Sequence, residues 1–382
     1  MTQIIELFKS PEQVQRSIQK VIDYSHDSEK DLKREIDEYV VTDHIRDNLD
    51  HVLDWIEKVS NTPGLESGAW VSGFYGSGKS SFSKYLGYSF DRNLLIDGKP
   101  FVERFASRID SITTEQRLKT LAKRCDAAVV MLDLASQAYG SKVEDVSEIL
   151  YLHTLKYLGY CSKSLAIANL EIMLDEEGRY QEFCDRIREK YKKDWQKEHD
   201  KVLISRSYAK AVVAEMYPGQ TIDLDEKSSA ATLMDCKERA EKAIELIRRK
   251  TGKEYIFFVV DEVGQYLAPR PKQILDMDGL AKNLRNIGRG KVFIIGTAQQ
   301  TLTEDNKAAA INSQELYKLK DRFPEAVTLE SSDIEEICTK RLLGKCADGV
   351  ATLEKLFEED GARFAAVSQL RNCPNYDAGG GL

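Results

Sequence analysis

The chain has 382 residues, 31% of them charged and 42% apolar, and a formal net charge of −8. This is the balance of a globular protein with one large or two to three smaller domains. The acidic excess argues against a partner held mainly by phosphate electrostatics, which needs a basic face, so direct DNA contact is not indicated by charge.

In chain order, Ser10-Pro11-Glu12-Gln13 reads as a capping box with proline at the first helical position. Val14, Ile18, Val21 and Ile22 then share a face, and a polar break follows at Ser25–Lys30. After Tyr39-Val40-Val41, Thr42 caps a second helix whose stripe is Ile45, Leu49, Val52, Leu53, Ile56 and Val59. That spacing is the core-facing pattern of an amphipathic helix. Ser60-Asn61-Thr62-Pro63-Gly64 reads as a linker.

Residues 68–72, Gly-Ala-Trp-Val-Ser, suit a buried strand. They lead into Gly73-Phe74-Tyr75-Gly76-Ser77-Gly78-Lys79-Ser80, a Gly-x-x-x-x-Gly-Lys-Ser phosphate-binding loop. In such a loop, glycines let backbone N–H groups turn toward phosphate oxygens, the lysine reaches the β- and γ-phosphates, and the serine hydroxyl faces Mg²⁺. Gly73, Tyr75, Gly76, Ser77, Gly78, Lys79, Ser80 and Ser81 are therefore the expected nucleotide-binding residues, with Ser80 also a metal ligand. Phe82, Tyr85, Leu86 and Phe90 recur at helical spacing behind the loop. The order strand, loop, helix also places a helix N-terminus at the anion.

The apolar run 127–134 suits a parallel strand covered on both faces. About 120 helical residues then follow, with mixed charges over Asp175–Lys201 that fit a solvated face or a partner-binding insertion. Ser228 or Ser229 opens a helix with Leu233, Ala240, Ala243, Ile244 and Ile247 inward, and Gly252 ends it. Residues 255–262, Tyr-Ile-Phe-Phe-Val-Val-Asp-Glu, form a strand with two carboxylates at its C-terminal end. Crevices of open α/β sheets form at such ends. Asp261 is expected to hold Mg²⁺, and Glu262 to polarise the attacking water.

A further strand, 291–296, ends in Thr297-Ala298-Gln299-Gln300. Thr297 and Gln299 both qualify as a polar side chain between the carboxylates and a γ-phosphate, and a plain polar loop start is the simpler reading. Arg322, in Asp321-Arg322-Phe323-Pro324 before the short strand Glu325–Leu329, either reaches a neighbouring subunit's γ-phosphate or pairs with a local carboxylate. Ser332-Asp333 caps a helix carrying Ile334, Ile337, Cys338, Arg341, Leu342 and Leu343. The seven cysteines are scattered without a Cys-x-x-Cys pair and read as reduced, packed thiols. The N-terminus lacks the basic and apolar regions of a signal peptide, and no apolar run approaches the roughly 20 residues of a membrane span, so the cytoplasm is the expected compartment.

The strand-end Asp261-Glu262 pair, a polar residue after the next strand and Arg322-Phe323 before the last one resemble, in that order, the AAA+ branch of P-loop ATPases over roughly residues 67–345. More closely, the chain resembles the P-loop ATPase of bacterial BREX phage-defence systems (BrxC/PglY type). The resemblance is carried by Glu38-Tyr39-Val40-Val41-Thr42, Gly73–Phe82, Asp261-Glu262-Val263-Gly264-Gln265-Tyr266 and Gly296-Thr297-Ala298-Gln299-Gln300. It implies an α/β P-loop NTPase (AAA+-like) fold: a parallel sheet flanked by helices, an N-terminal helical segment (1–66), an ATPase core (67–345) with a helical insertion (136–252), and an incomplete lid and tail (346–382). It also implies ATP and Mg²⁺ as cofactors. The implied partners are a methyltransferase and a PglZ-type protein, with further copies of the chain in a homo-oligomer. Members of that family are several times longer, so an N-terminal fragment or truncated product is expected. A non-hydrolysing nucleotide-dependent scaffold and an origin-recognition-like ATPase that loads proteins onto DNA are the alternative readings.

Overall fold

In a computed structural model, residues 4–8, 28–134, 145–220, 222–224, 234–299, 317–330, 333, 336, 337 and 344–368 are described. Five strands form one parallel sheet: β1 (Gly68–Gly73), β2 (Ala127–Asp133), β3 (Tyr255–Asp261), β4 (Val292–Ala298) and β5 (Glu325–Leu329), in the order β2-β3-β4-β1-β5. The chain leaves β1, crosses to the far edge at β2, returns through β3 and β4, and passes β1 to reach β5. Parallel crossovers are right-handed, so outward and return connections must cover opposite faces.

The packing follows this rule. Helices α1 (Glu29–Glu38), α2 (Asp43–Asn61), α3 (Lys79–Ser89), α4 (Phe101–Ala106) and α5 (Ile112–Arg124) share a core with Ala69, Val71, Val129, Phe257, Val259, Phe293, Ile295 and Val327. The alternate residues Trp70, Ala128, Val130, Leu132, Ile256, Phe258, Val260 and Ile294 face a second core. That core is built by α6 (Val146–Tyr157), α7 (Leu165–Glu176), α8 (Tyr180–Tyr191), α9 (Trp195–Glu198), α10 (Val202–Met216), α11 (Cys236–Thr251), α12 (Val263–Leu267) and α13 (Pro271–Gly288). Period-two alternation into two apolar cores is why these strands read as continuous apolar runs. On the first face, stacked rings of Phe90 on Phe257 (4.6 Å) and Phe257 on Phe293 (4.8 Å) tie the loop-bearing helix to the sheet.

The segment 136–252, expected as an insertion, contains the β2-to-β3 crossover. Its helices α6 and α11 pack with α13, and α6 also meets β2. Helix α14 (Ala347–Ser368) and the short turn Ile4–Leu7 contact one another.

Most expected elements are present, with three changes of boundary. The polar stretch read as a break at Ser25–Lys30 runs into α1, whose N-cap Ser28 accepts from the Asp31 N–H at 3.2 Å. Only Leu32 and Ile36 supply buried apolar side chains there, too few to register as periodicity. The helix assigned to Ser228 or Ser229 begins instead at Cys236. Asp235 and Glu238 make a reciprocal capping box, while Ser228, Ser229 and Leu233 lie outside the described residues. Strand β4 continues to Ala298, so Thr297 is a buried strand residue and not the start of a loop. Thr42 caps α2 as expected, accepting from the Ile45 N–H at 3.1 Å. Gly252 ends α11 in the left-handed conformation. The N-terminal capping box at Ser10, most of the helix after Ser332 and the tail beyond residue 368 lie outside the described residues. Among the described residues, no helix is long and apolar enough to cross a membrane.

Candidate nucleotide and acidic site

The candidate residues gather where β1, β3 and β4 end. Strand β1 is buried throughout and delivers Gly73 against the end of β5. A Cβ on Gly73 would sit 2.5 Å from Ser77 Oγ and 2.7 Å from the Leu329 carbonyl oxygen, so the loop closes only around a glycine. Gly76 (φ 82°) and Gly78 (φ 90°) take the left-handed conformation that glycine adopts without penalty. Gly78 is also the N-cap of α3 and brings no side chain to the first-turn N–H groups. Those donors, with the positive end of the helix dipole, point into the loop's concavity.

Within the loop, the Phe74 carbonyl accepts from the Ser77 N–H at 3.1 Å and from Lys79 Nζ at 2.9 Å. Lys79 is buried. Desolvation lowers its pKa, against the opposing charges of Glu262 and Asp261. Ser77 Oγ is buried with no hydrogen-bond partner. Ser80 and Ser81 stand half-buried in the first turn of α3, and Tyr75 is exposed at the loop's tip.

Asp261 and Glu262 lie across the crevice. Strand β4 separates β1 from β3, so their ends are two strand spacings apart, about 9–10 Å. The buried Thr297 hydroxyl clasps the acidic pair: it donates to Asp261 Oδ1 and accepts from the Glu262 N–H at 3.0 Å. Glu262 sits at φ 56°, left-handed for a residue with a side chain, and is the N-cap of α12. Such a conformation costs about 1–2 kcal/mol and persists where surrounding contacts impose it. Gly264 allows the tight turn, because a Cβ there would lie 2.6 Å from the Ala298 Cβ. Burial first, then the Asp261 charge, raise the Glu262 pKa. Lys79 opposes them and Asp133 adds to them. Glu262 Oε2 is buried without a partner.

The sequence reading overlooked Asp133. It ends β2 in register with Asp261, putting a third carboxylate within electrostatic reach of Glu262. The signal was present, an acid at the C-terminal end of an apolar run, but adjacency depended on a pairing across 128 residues.

Lys79, Asp261, Glu262 and Thr297 are thus brought together. Gln299 lies exposed just past β4. Arg322 is not part of the cluster. It precedes β5 at the opposite, strand-starting edge, where a Cβ on Gly68 would meet its carbonyl oxygen at 2.1 Å. The length of β1, about 20 Å at 3.3 Å per residue, separates that edge from the loop. Its guanidinium pairs with Glu66 at 2.9 Å and Asp278 at 3.0 Å, and Arg285 shares Glu66.

The residues fit a nucleotide triphosphate with Mg²⁺. A glycine cradle, an orphaned Ser77 hydroxyl and a desolvated lysine supply the phosphate side, while Ser80 and Asp261 supply hard oxygen donors of the kind Mg²⁺ takes. No protein-family model matches the chain.

Proposed function

We propose that the chain is a P-loop NTPase of the AAA+-like kind that binds ATP with Mg²⁺ and hydrolyses it. The observation that carries this reading is one crevice in which Lys79, at the end of the glycine loop, feels the charges of both Asp261 and Glu262. Loop N–H groups and Lys79 Nζ would hold the phosphates, the lysine exchanging the Phe74 carbonyl for phosphate oxygens. Ser80 and Asp261 would hold Mg²⁺, which when bound would neutralise phosphate charge. Thr297 fixes the acidic pair so that the Glu262 carboxylate accepts a hydrogen bond from water in the crevice and orients it toward the γ-phosphate. Within the resemblance to the BREX ATPases, this activity serves as motor or switch beside a methyltransferase and a PglZ-type protein. Co-purification of those two proteins with the chain tests that assignment.

A second reading, a nucleotide-dependent scaffold that does not hydrolyse, is favoured by Arg322. Its two carboxylate partners hold it at the far edge, away from the phosphate loop of its own chain. Steady-state turnover against protein concentration separates the two. Turnover rising faster than linearly and lost in Glu262→Gln supports the hydrolase. Tight ATP binding with flat, negligible turnover supports the scaffold, and turnover untouched by Glu262→Gln refutes the role given to Glu262.

A further inference from the structure

We infer that the cavity between helix α2 and the start of strand β5 is a binding site for a small organic cation, a protonated amine carried on an apolar body. The cavity has a volume of about 530 Å³, within the size range of small-molecule sites. It is distinct from the nucleotide crevice: Glu325, which lines it, pairs with Ala69, about 13 Å down β1 from Gly73 at 3.3 Å per residue. Its walls are apolar and fixed. Trp55 is buried, donates its indole N–H to the Glu66 carbonyl at 3.3 Å and packs edge-on against Phe293 at 5.3 Å. Val59, Leu65 and Pro324 supply the rest of the apolar lining. A wall held in this way presents its surface to a ligand at little ordering cost.

One charge in this lining is unanswered. Glu325 opens β5 half-buried, and among the described residues its carboxylate makes no hydrogen bond or ion pair. The other acids of the cavity are engaged by the protein itself, Asp54 by Arg117 and Glu66 by Arg285 and Arg322. His51 and Lys58 stand exposed on α2 at the rim. Burial first, opposed by His51 and reinforced by Asp54, pushes the Glu325 carboxyl up to about 7. A half-buried carboxylate without a counter-ion is costly, and an ammonium answers it with a charge-assisted hydrogen bond. A metal ion does not fit as well: it needs several ligands, and no group of three His, Cys, Asp or Glu side chains among the described residues could hold one. An amine with an aromatic or aliphatic body matches the single carboxylate and the apolar walls together. Because the ammonium binds the ionised carboxylate, which is about a tenth of Glu325 at pH 6 and about nine-tenths at pH 8, affinity rises with pH through 7.

Titration of the full chain with phenethylamine, followed by ligand-observed NMR, tests this. The expected result is saturable binding at one site with a Kd of about 1 mM at pH 8, as for a fragment of this size, weakening about tenfold at pH 6. Glu325→Gln should weaken binding at pH 8 about tenfold and flatten the pH dependence, which assigns the slope to Glu325 and not to His51. Hydrocinnamate, the same body with a carboxylate in place of the ammonium, should bind at least about tenfold more weakly than the amine. Leu65→Ala, which removes part of the apolar wall and leaves Glu325 in place, should weaken the amine severalfold and serves if Glu325→Gln does not fold. No saturable binding of phenethylamine, equal affinity in Glu325→Gln, or equal affinity for hydrocinnamate would overturn the site. Displacement of the amine by Mg–ATP would also overturn it, by placing the amine in the nucleotide crevice.

Discussion

Replacing Thr297 with valine keeps the shape of a fully buried side chain and deletes one hydroxyl. That hydroxyl donates to the Asp261 carboxylate and accepts from the Glu262 N–H at 3.0 Å. A hydrogen bond to a charged group contributes about 1.5–3 kcal/mol, and stranding a buried N–H adds about 1 kcal/mol. The clasp also holds Glu262 in its left-handed conformation, whose release returns about 1 kcal/mol to the variant. The net expectation is a loss of about 1.5–3 kcal/mol, with Thr297→Ser losing under about 1 kcal/mol because it keeps both bonds. Urea denaturation followed by tryptophan fluorescence reads this directly, as Trp70 is buried on the neighbouring strand β1. Thr297→Val within about 0.5 kcal/mol of wild type would show that the hydroxyl does not hold the acidic pair.

Glu325 is pushed up to about 7 by burial, opposed by His51 and reinforced by Asp54. Its folded value lies above the unfolded one, so this contribution is complete below pH 4.5 and lost as pH rises through about 7. Glu325→Gln should therefore be more stable than wild type at pH 8, by about 1 kcal/mol after allowing for solvent screening, and little different at pH 5; equal melting curves at pH 8 would contradict this. In His199, burial pulls the pKa down, but the hydrogen bond and charge of the fully buried Glu171 outweigh it and leave it raised. Its stabilisation is present below the ordinary histidine value and fades as pH rises through the raised folded one, so His199→Gln should cost more stability at pH 6 than at pH 9. Thermal melts at the two pH values check this, and a larger loss at pH 9 would reverse the assignment. Gly73→Ala should abolish Mg–ATP binding, because its Cβ would collide with Ser77 Oγ and the Leu329 carbonyl, while far-ultraviolet circular dichroism stays native; retained binding would refute the closed loop.

Much of this arrangement was legible because it is local. Apolar runs gave the strands, Thr42 and Gly252 gave helix ends, and the glycine loop lay between a strand and a helix. Where the reading failed, the cause was a contact the sequence does not display. Gly296 looked like the end of a strand, yet it is packed between Trp70 and Val263, which makes it an interior position of β4 and carries Thr297 into the core. Helix α1 is held by ion pairs to residues 49–67 positions away, so its two buried apolar side chains gave no pattern. The partners of Arg322, Glu66 and Asp278, are 256 and 44 residues distant, and its position at the strand-starting edge followed only from the sheet order.

The central claim is that the loop at Gly73–Ser80 holds a triphosphate through Lys79 beside an acidic pair. Equilibrium titration of the full chain with Mg–ATP, compared with Lys79→Ala, tests it most directly. The expected result is saturable binding by wild type, weakened a hundredfold or more by Lys79→Ala with the melting temperature preserved. No binding by wild type, or equal affinity in the two proteins, would contradict the account.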